Sequence, residues 1–357
     1  MRQMRILHII EGLQESCGIS RFIVEIAREQ QALGQDVAIM TTRNWNVLVD
    51  DLKIFQTYAP EVAAQEYLPD IVHVHGCWNK YVHRMASWCQ RRQIPYCLSP
   101  HGTWTEWALR FHRWRKMLAW MFFQRRDARN AAAFHATVAS EVDDIRRLKL
   151  TQPVFTAPLG MRIGIEGAGV PPIGAREKII LYLGRLHHKK NVHGLLDVWR
   201  SIPSEQRAEW KLLIAGKPGP GDDCYLEALR KLADDSCGFV GEVIGREKEK
   251  IYQSARIFVL PSFSENFGAV VLEALANGTP VITTEGTPWK ETIDYGCGWR
   301  CSPDAEALRG AMIRAMGTDV AELEAMSRNA LDYVQKNFSW KKSAEVLISG
   351  YGTLLSK

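Results

Sequence analysis

Two doubly wound α/β domains facing a central cleft are what the sequence predicts, and three observations predict them. The chain has 357 residues, more than one ordinary core holds and suited to two domains of roughly 100–200 residues each. Short apolar, β-branched runs alternate with helical patterns through residues 5–160, as in a parallel sheet wrapped by helices. After a Gly- and Pro-rich stretch the same alternation starts again near residue 178.

In order, RILHII (5–10) reads as a strand, EGLQESCG (11–18) as a loop, and ISRFIVEIAREQQAL (19–33) as a helix stopping at Gly34 before the strand DVAIMTT (36–42). Further buried strands come at DIVHVHG (70–76), IPYCLSPHG (94–102), AAFHATVAS (132–140) and PVFTAPLG (153–160). Residues 161–178, with four glycines and two adjacent prolines, read as a linker. KIILYLG (178–184), KLLIAG (211–216), CGFVGEV (237–243), ARIFVLPS (255–262) and GTPVITT (278–284) are the second set of strands, each followed by a loop and usually a helix. This divides the chain into domains 1–165 and 175–337, with a closing helix in 338–357.

Hydrophobic content of 46% and charged content of 24% fit a folded globular chain and exclude fibrous and disordered classes. No run approaches the roughly 18–20 apolar residues of a spanning helix, so a cytoplasmic, unsecreted protein is expected. Eight cysteines form no zinc-like double cluster, since Cys297 and Cys301 lack a second half; scattered reduced thiols are expected. Residues 1–170 hold 21 Lys and Arg against 16 Asp and Glu, while 171–357 hold 24 of each, so the excess positive charge lies in the first half.

Open parallel sheets bind ligands at the carboxyl ends of their strands. After LYLG, the loop carries Arg185 and Lys190 just before a helix beginning near Val192, and two cations beside a helix N-terminus make an anion site. A solvated basic loop is the alternative. After VLPS comes SENFGAVVLEALANGTPVI (264–282), with Glu265 ahead of a helix from about Gly268 to Ala276, Glu273 in its second turn, and Gly278 as a C-terminal stop. Backbone N–H groups of residues 266–268 lie between the carboxylates. Carboxylates accept hydrogen bonds from vicinal hydroxyls, and amides with the helix dipole take phosphate, so the pair suits a sugar nucleotide. Glu273 on an apolar helix face is costly to bury without such a partner; the alternatives are a favourable helix-end charge for Glu265 and an exposed glutamate for Glu273.

Together GRLxxxK at 184–190, Ex7E at 265–273 with NFG after the first glutamate, NGTPVI at 277–282 and GTPWKETI at 286–293 resemble the retaining glycosyltransferases of family 4, the group 1 glycosyl transferases. The N-terminal strand and Gly loop, the PHG at 100–102 and the closing FSWKKSAEVLISGYGTLL match more loosely. The resemblance implies the GT-B fold: two doubly wound Rossmann-like domains, the first binding acceptor, the second a nucleotide-diphosphate-sugar donor, with a C-terminal helix crossing back to the first. It implies that Arg185 and Lys190 bind the donor diphosphate, Glu273 the ribose hydroxyls, and Glu265 the transferred sugar, with the amides of Asn266, Phe267 and Gly268 nearby. It places His101 at the donor sugar near its anomeric carbon, where a loop-capping structural histidine is the alternative. It places Gly18 where backbone approaches phosphate or acceptor; the simpler reading is a turn.

Where the family often has two adjacent glycines this chain has Cys17-Gly18, and where it commonly has Asn after a proline this chain has Leu159. Donor contacts from the second segment are therefore not carried over. Thr287, Pro288 and Glu291 are second-rank candidates near base or sugar. Retention, implied by the family, needs no enzyme nucleophile placed like that of a retaining hydrolase. No Asp-x-Asp follows a strand, and the pairs Asp143-Asp144 and Asp222-Asp223 read as helix starts or surface charge. Metal independence is expected, with no cofactor besides the donor.

WTEWALRFHRWRKMLAWMFF (104–123) repeats apolar residues at 104, 107, 111, 114, 118 and 121, one helical stripe, with Arg110, Arg113 and Lys116 off it. Such a helix is compatible with an anionic membrane surface presenting a lipid-linked or lipopolysaccharide acceptor; alternatively the stripe packs on the first domain and the basic face meets solvent or an anionic acceptor. His73 and His75 alternate within a strand and read as structural. An oxidoreductase would show GxGxxG and an acidic residue about 20 positions on, and neither occurs. A sugar-nucleotide epimerase shares fold and nucleotide site. A non-catalytic module for nucleic acid or another anionic surface fits the basic first half but leaves the second-half motifs without purpose, and no nucleic-acid partner is expected.

Overall fold

The computed structural model describes residues 3–14, 17–45, 51–111, 113–163, 169–219 and 223–356. Its strands are β1 (Arg5–Ile9), β2 (Gly12–Gln14), β3 (Asp36–Thr41), β4 (Arg43–Trp45), β5 (Lys53–Gln56), β6 (Ile71–His75), β7 (Tyr96–Ser99), β8 (Ala133–Ala136) and β9 (Val154–Thr156), then β10 (Glu177–Leu183), β11 (Lys211–Ala215), β12 (Cys237–Gly241), β13 (Ala255–Leu260), β14 (Val281–Thr284) and β15 (Gly298–Cys301). The chain forms two compact units, one of Met1–Gly160 with Phe338–Lys357, the other of Met161–Asn337.

The sheet of the first unit runs β5-β3-β1-β6-β7-β8-β9, all parallel. β6 is buried along its whole length, as the near-continuous apolar runs of a sheet covered on both faces require. The chain starts at β1, winds outward through β3 and β5, then crosses to β6 on the other side. That reversal is where ligands bind in doubly wound sheets, and it places His8 in register beside His73. Phe22, Ile23, Ile26 and Ala27 are the buried face of the helix Gly18–Ala32. The closing helix, Trp340–Leu355, lies on the same unit; at Gly350 a Cβ would come within 2.8 Å of the Phe155 ring, so only glycine permits the approach.

The stripe over 104–123 is neither one helix nor a packed face. Trp104 is buried in the core, the Thr105 hydroxyl caps a short helix at Glu106–Arg110, a second runs from Arg113 to Ala119, and Trp120–Gln124 is a π-turn leading into Arg125–Asn130; His112 lies outside the described residues. A π-turn inserts an extra residue and rotates the helix beyond it. Here it brings Gln124 and Asp127 inward, with the Gln124 carbonyl accepting from the Trp78 N–H at 2.8 Å. Phe111, Trp114, Met117, Leu118, Met121 and Phe122 are left exposed, so packing on the domain is not what the structure shows.

Asp143 and Asp144 are interior to the helix Ala139–Arg147 rather than at its start; Asp143 is exposed, while Asp144 is buried and paired with Arg147 at 2.9 Å. Asp222 lies outside the described residues, and Asp223 opens the helix Asp223–Leu232.

The second unit repeats the winding with the order β12-β11-β10-β13-β14-β15, all parallel, and its reversal falls between β10 and β13. The segment before β10 is docked on this unit: Ile173 is buried against Leu323 and Met326, and the Arg176 guanidinium donates to the Asn277 carbonyl at 3.0 Å and the Thr279 hydroxyl at 2.9 Å.

Candidate functional site

In the second unit the loops after β10, β13 and β14 leave neighbouring strands at the same sheet edge. The Phe263 N–H donates to the Lys189 carbonyl at 3.0 Å and the Glu265 N–H to the Gly286 carbonyl at 2.7 Å, tying the three loops together. At this junction the Glu265 carboxylate accepts from Lys190 Nζ at 2.5 Å and from the Ser262 hydroxyl at 2.6 Å. Both charged side chains are shielded, 16% and 8% exposed, so their attraction is stronger than that of a surface pair. Arg185 is exposed, and its carbonyl accepts from the Tyr182 phenol at 3.0 Å. Burial lowers the Lys189 ammonium's pKa, opposed by Glu265 and reinforced by the neighbouring Lys190 and Arg185 charges. Three cations and one carboxylate thus share the strand end. An ammonium has three donors, and Lys190 commits one of them to Glu265.

The NFG segment is built from its backbone. Phe267 is buried, its carbonyl accepts from Trp289 Nε1 at 2.6 Å, and the two rings stand edge to face at 5.3 Å. Gly268 turns into the helix Ala269–Ala276 at φ +73°, a left-handed conformation glycine adopts without strain. Asn266 is half-buried beside them.

Glu273 departs from the expectation that its burial needs a ligand. Its carboxylate is buried and accepts from Lys248 Nζ at 2.7 Å and from the Tyr252 phenol at 2.9 Å. Neither partner stands out in the sequence, although Lys248 and Tyr252 are four apart on the helix Gly245–Ser254 and so face one way. Of the second-rank residues, Thr287 is buried with its hydroxyl on the Thr284 carbonyl at 2.8 Å, which makes it part of the turn, and Glu291 opens the short helix Glu291–Asp294.

In the first unit, Gly18 is the first residue of the helix Gly18–Ala32 rather than part of a turn, and a Cβ there would meet nothing within 4 Å. Its use of glycine is therefore imposed by neither backbone nor crowding. His101 follows β7 at φ +50°, a left-handed conformation that is uncommon outside glycine. The next N–H, of Gly102, donates to Glu141 Oε1 at 2.7 Å, while Glu141 Oε2 accepts from the Thr137 N–H at 2.9 Å. Buried Glu141, its pKa raised by desolvation, is the peg that holds this loop. His101 Nε2 meets His75 Nδ1 at 3.0 Å, the outermost link of a buried group that includes His8, His73 and His135. Burial, joined by the His135 charge, pushes His101 down to about 3, so its ring is neutral.

Among the described residues, His8, His73 and His75 offer ring nitrogens within 4.8 Å of one another, the one group spaced to hold a metal ion. All six of those nitrogens are already hydrogen-bonded. None of the eight cysteines is disulfide-bonded, and among the described residues no helix is long and apolar enough to cross a membrane.

Residues 17–160 match the glycosyl transferase 4-like domain and residues 168–332 the group 1 glycosyl transferases. The chain is 30% identical over 176 residues to O-antigen chain mannosyltransferase B of Escherichia coli, covering 49% of this chain and 45% of that relative. It is 28% identical over 302 residues to glycogen synthase of Mycobacterium tuberculosis, covering 80% of this chain and 69% of that one. Its fold is that of the Anabaena protein Alr3699/HepE crystallised with UDP-glucose, at a TM-score of 0.80 and 15% identity over 98% of this chain and all of that one. Two adjoining family models thus account for most of the sequence, two doubly wound units for the GT-B fold, and the chain belongs to the group 1 glycosyl transferases with a family 4-like amino-terminal domain.

Proposed function

We propose that this chain transfers a sugar from a nucleoside-diphosphate-sugar to a saccharide or lipid-linked saccharide acceptor, with retention of anomeric configuration and no resident metal, in the synthesis of a cell-surface polysaccharide or lipopolysaccharide. The observation that carries this reading is the shielded Lys190–Glu265 pair at the winding reversal of the second unit, with Arg185 beside it. Arg185 and Lys190 receive the diphosphate, and their charge stabilises the leaving group more as its bond to the sugar breaks than in the intact donor. Glu265, held by Lys190 and Ser262, accepts from hydroxyls of the transferred sugar, with the backbone of Asn266, Phe267 and Gly268 alongside. Glu273 accepts from the ribose hydroxyls, and His101 lies at the donor sugar. Gly18 leaves open the approach of phosphate or acceptor to its helix N-terminus. The relatives, an O-antigen mannosyltransferase and a protein crystallised with UDP-glucose, support donor and acceptor classes of this kind.

The test is a panel of UDP-, GDP- and ADP-sugars in thermal unfolding. The true donor at 100 times its Kd is expected to stabilise by about 2.7 kcal/mol, with transfer persisting in EDTA and the product keeping the donor's anomeric configuration. No stabilisation by any of them overturns the donor site; inversion overturns retention; conversion of the donor's sugar without an acceptor identifies an epimerase.

The exposed face at 111–122 extends the same reading. Trp114, Met121 and Phe122 are 59%, 69% and 79% exposed, and Arg110, Arg113 and Arg115 are exposed beside them. Apolar side chains ringed by cations suit an anionic bilayer surface carrying a lipid-linked acceptor. Sedimentation with phosphatidylglycerol vesicles is expected, weakening with salt and lost on Trp114→Ser with Phe122→Ser. Equal recovery with phosphatidylcholine vesicles, or full binding by the double variant, removes the membrane from the reading.

A further inference from the structure

Nine residues of the first unit form two hydrogen-bonded files whose protons can be placed. One file begins at a backbone carbonyl. His135 Nε2 lies 2.8 Å from the Ala157 carbonyl, which only accepts, so that nitrogen carries the proton and Nδ1 is bare. The Ser99 hydroxyl, 2.7 Å away, therefore donates to His135 Nδ1 and accepts from His73 Nε2 at 2.6 Å. His73 Nδ1 is then bare and accepts from the Tyr351 phenol at 2.5 Å. Tyr351 belongs to the closing helix, Trp340–Leu355.

The other file leads to His101. The Gln30 amide oxygen, which only accepts, lies 2.8 Å from His8 Nε2, while the buried Gln30 amide nitrogen has no hydrogen-bond partner. His8 Nε2 then carries the proton, and bare His8 Nδ1 accepts from His75 Nε2 at 3.0 Å. Bare His75 Nδ1 accepts from His101 Nε2 at 3.0 Å. The rings are neutral throughout, since burial lowers every one of them: His8 and His135 to about 4, His73 and His75 well below the usual range.

We propose that this network holds His101 in one tautomer, proton on Nε2 and Nδ1 bare, so that its open nitrogen accepts a hydrogen bond from a sugar hydroxyl and cannot donate one to a phosphate oxygen. Gln30 is a positioning residue: it sets the proton order of the file to His101 without touching substrate. The inference rests on the reading of His101 as the donor-sugar histidine and adds which partner it takes.

The experiment uses full-length protein with 15N-labelled histidine, the His101 signals being assigned by their loss in His101→Gln. Long-range 1H–15N spectra at neutral pH are expected to show His101 with a pyrrole-type Nε2 and a pyridine-type Nδ1. In Gln30→Met the alternative tautomer is expected to appear, with kcat down about ten-fold and KM for the donor within about two-fold of wild type. Gln30→Leu, which likewise removes the acceptor at His8 Nε2, is expected to act in the same direction and serves if Gln30→Met does not fold. A protonated Nδ1 on His101 in the wild type, or an unchanged tautomer in both folded variants, overturns the proposal, as does stoichiometric zinc uptake that displaces the His8, His73 and His75 signals. If the tautomer is as stated and His101→Gln keeps wild-type turnover, the proton order stands and the placement of His101 at the donor sugar falls.

Discussion

Lys190→Ala is expected to lower kcat by about two to three orders of magnitude while changing donor KM far less, the pattern of a donor aimed at charge that develops during reaction. In the proposed reaction the diphosphate gains negative charge as it departs, and Lys190 is the cation placed at the strand end by a shielded contact to Glu265 rather than left on a mobile surface chain. Arg185 is exposed and has freedom to adjust; its replacement by Ala is expected to raise KM more than it lowers kcat. The Lys190 variant carries a second penalty, because the Glu265 carboxylate loses its bonded ammonium and keeps the Ser262 hydroxyl as its donor. Removing one partner of a buried pair costs about 3 kcal/mol, so activity must be read below the variant's own unfolding transition. Lys190→Ala with Glu265→Gln separates the effects: the second change removes the stranded charge and is expected to restore much of the stability but none of the turnover. A Lys190→Ala enzyme that is folded and within three-fold of wild-type kcat would falsify the assignment of leaving-group stabilisation to this residue.

What the sequence made legible was position along a strand; what it hid was lateral contact. The period-two and three–four patterns place Lys190 after one strand and Glu265 after another, but only the order β11-β10-β13-β14 makes those strands neighbours and turns two separate candidates into one ion pair. Lys248 and Tyr252 were hidden for a related reason: GREKEKIYQS reads as a solvated charged helix, and nothing within ten residues says that one lysine of the run reaches a carboxylate 25 positions away. The stripe over 104–123 fails differently. Periodicity finds an apolar face but does not say what covers it, and the π-turn at Trp120–Gln124 shifts the phase, so that Gln124 goes inside while Met121 and Phe122 stay out. The histidines were visible one by one; pairing β1 with β6, β6 with β7, and β7 with β8 is what stacks them.

Glu273→Ala and Lys248→Met together decide whether Glu273 is a ligand for the donor or only an anchor between two helices. The carboxylate offers about four acceptor positions, and Lys248 and Tyr252 occupy part of them from one side. As the acceptor for ribose hydroxyls, Glu273 contributes charge-assisted hydrogen bonds of about 2 kcal/mol, so Glu273→Ala is expected to weaken donor binding roughly 30-fold. It is also expected to lower the melting temperature, because Lys248 and the buried Tyr252 hydroxyl lose their shared partner. Lys248→Met keeps the carboxylate in place through Tyr252 and fills the space of the lysine stem. It should therefore reproduce the loss of stability, since Glu273 loses the lysine ammonium from its carboxylate, yet hold donor affinity within about three-fold. Calorimetric titration with the cognate nucleotide on each folded variant reads the two quantities apart. Equal losses of affinity in both variants would mean that Glu273 acts by holding Lys248, and that the ammonium rather than the carboxylate faces the nucleotide. Unchanged affinity in both would leave Glu273 as the buried tie between Gly245–Ser254 and Ala269–Ala276, with the ribose recognised elsewhere.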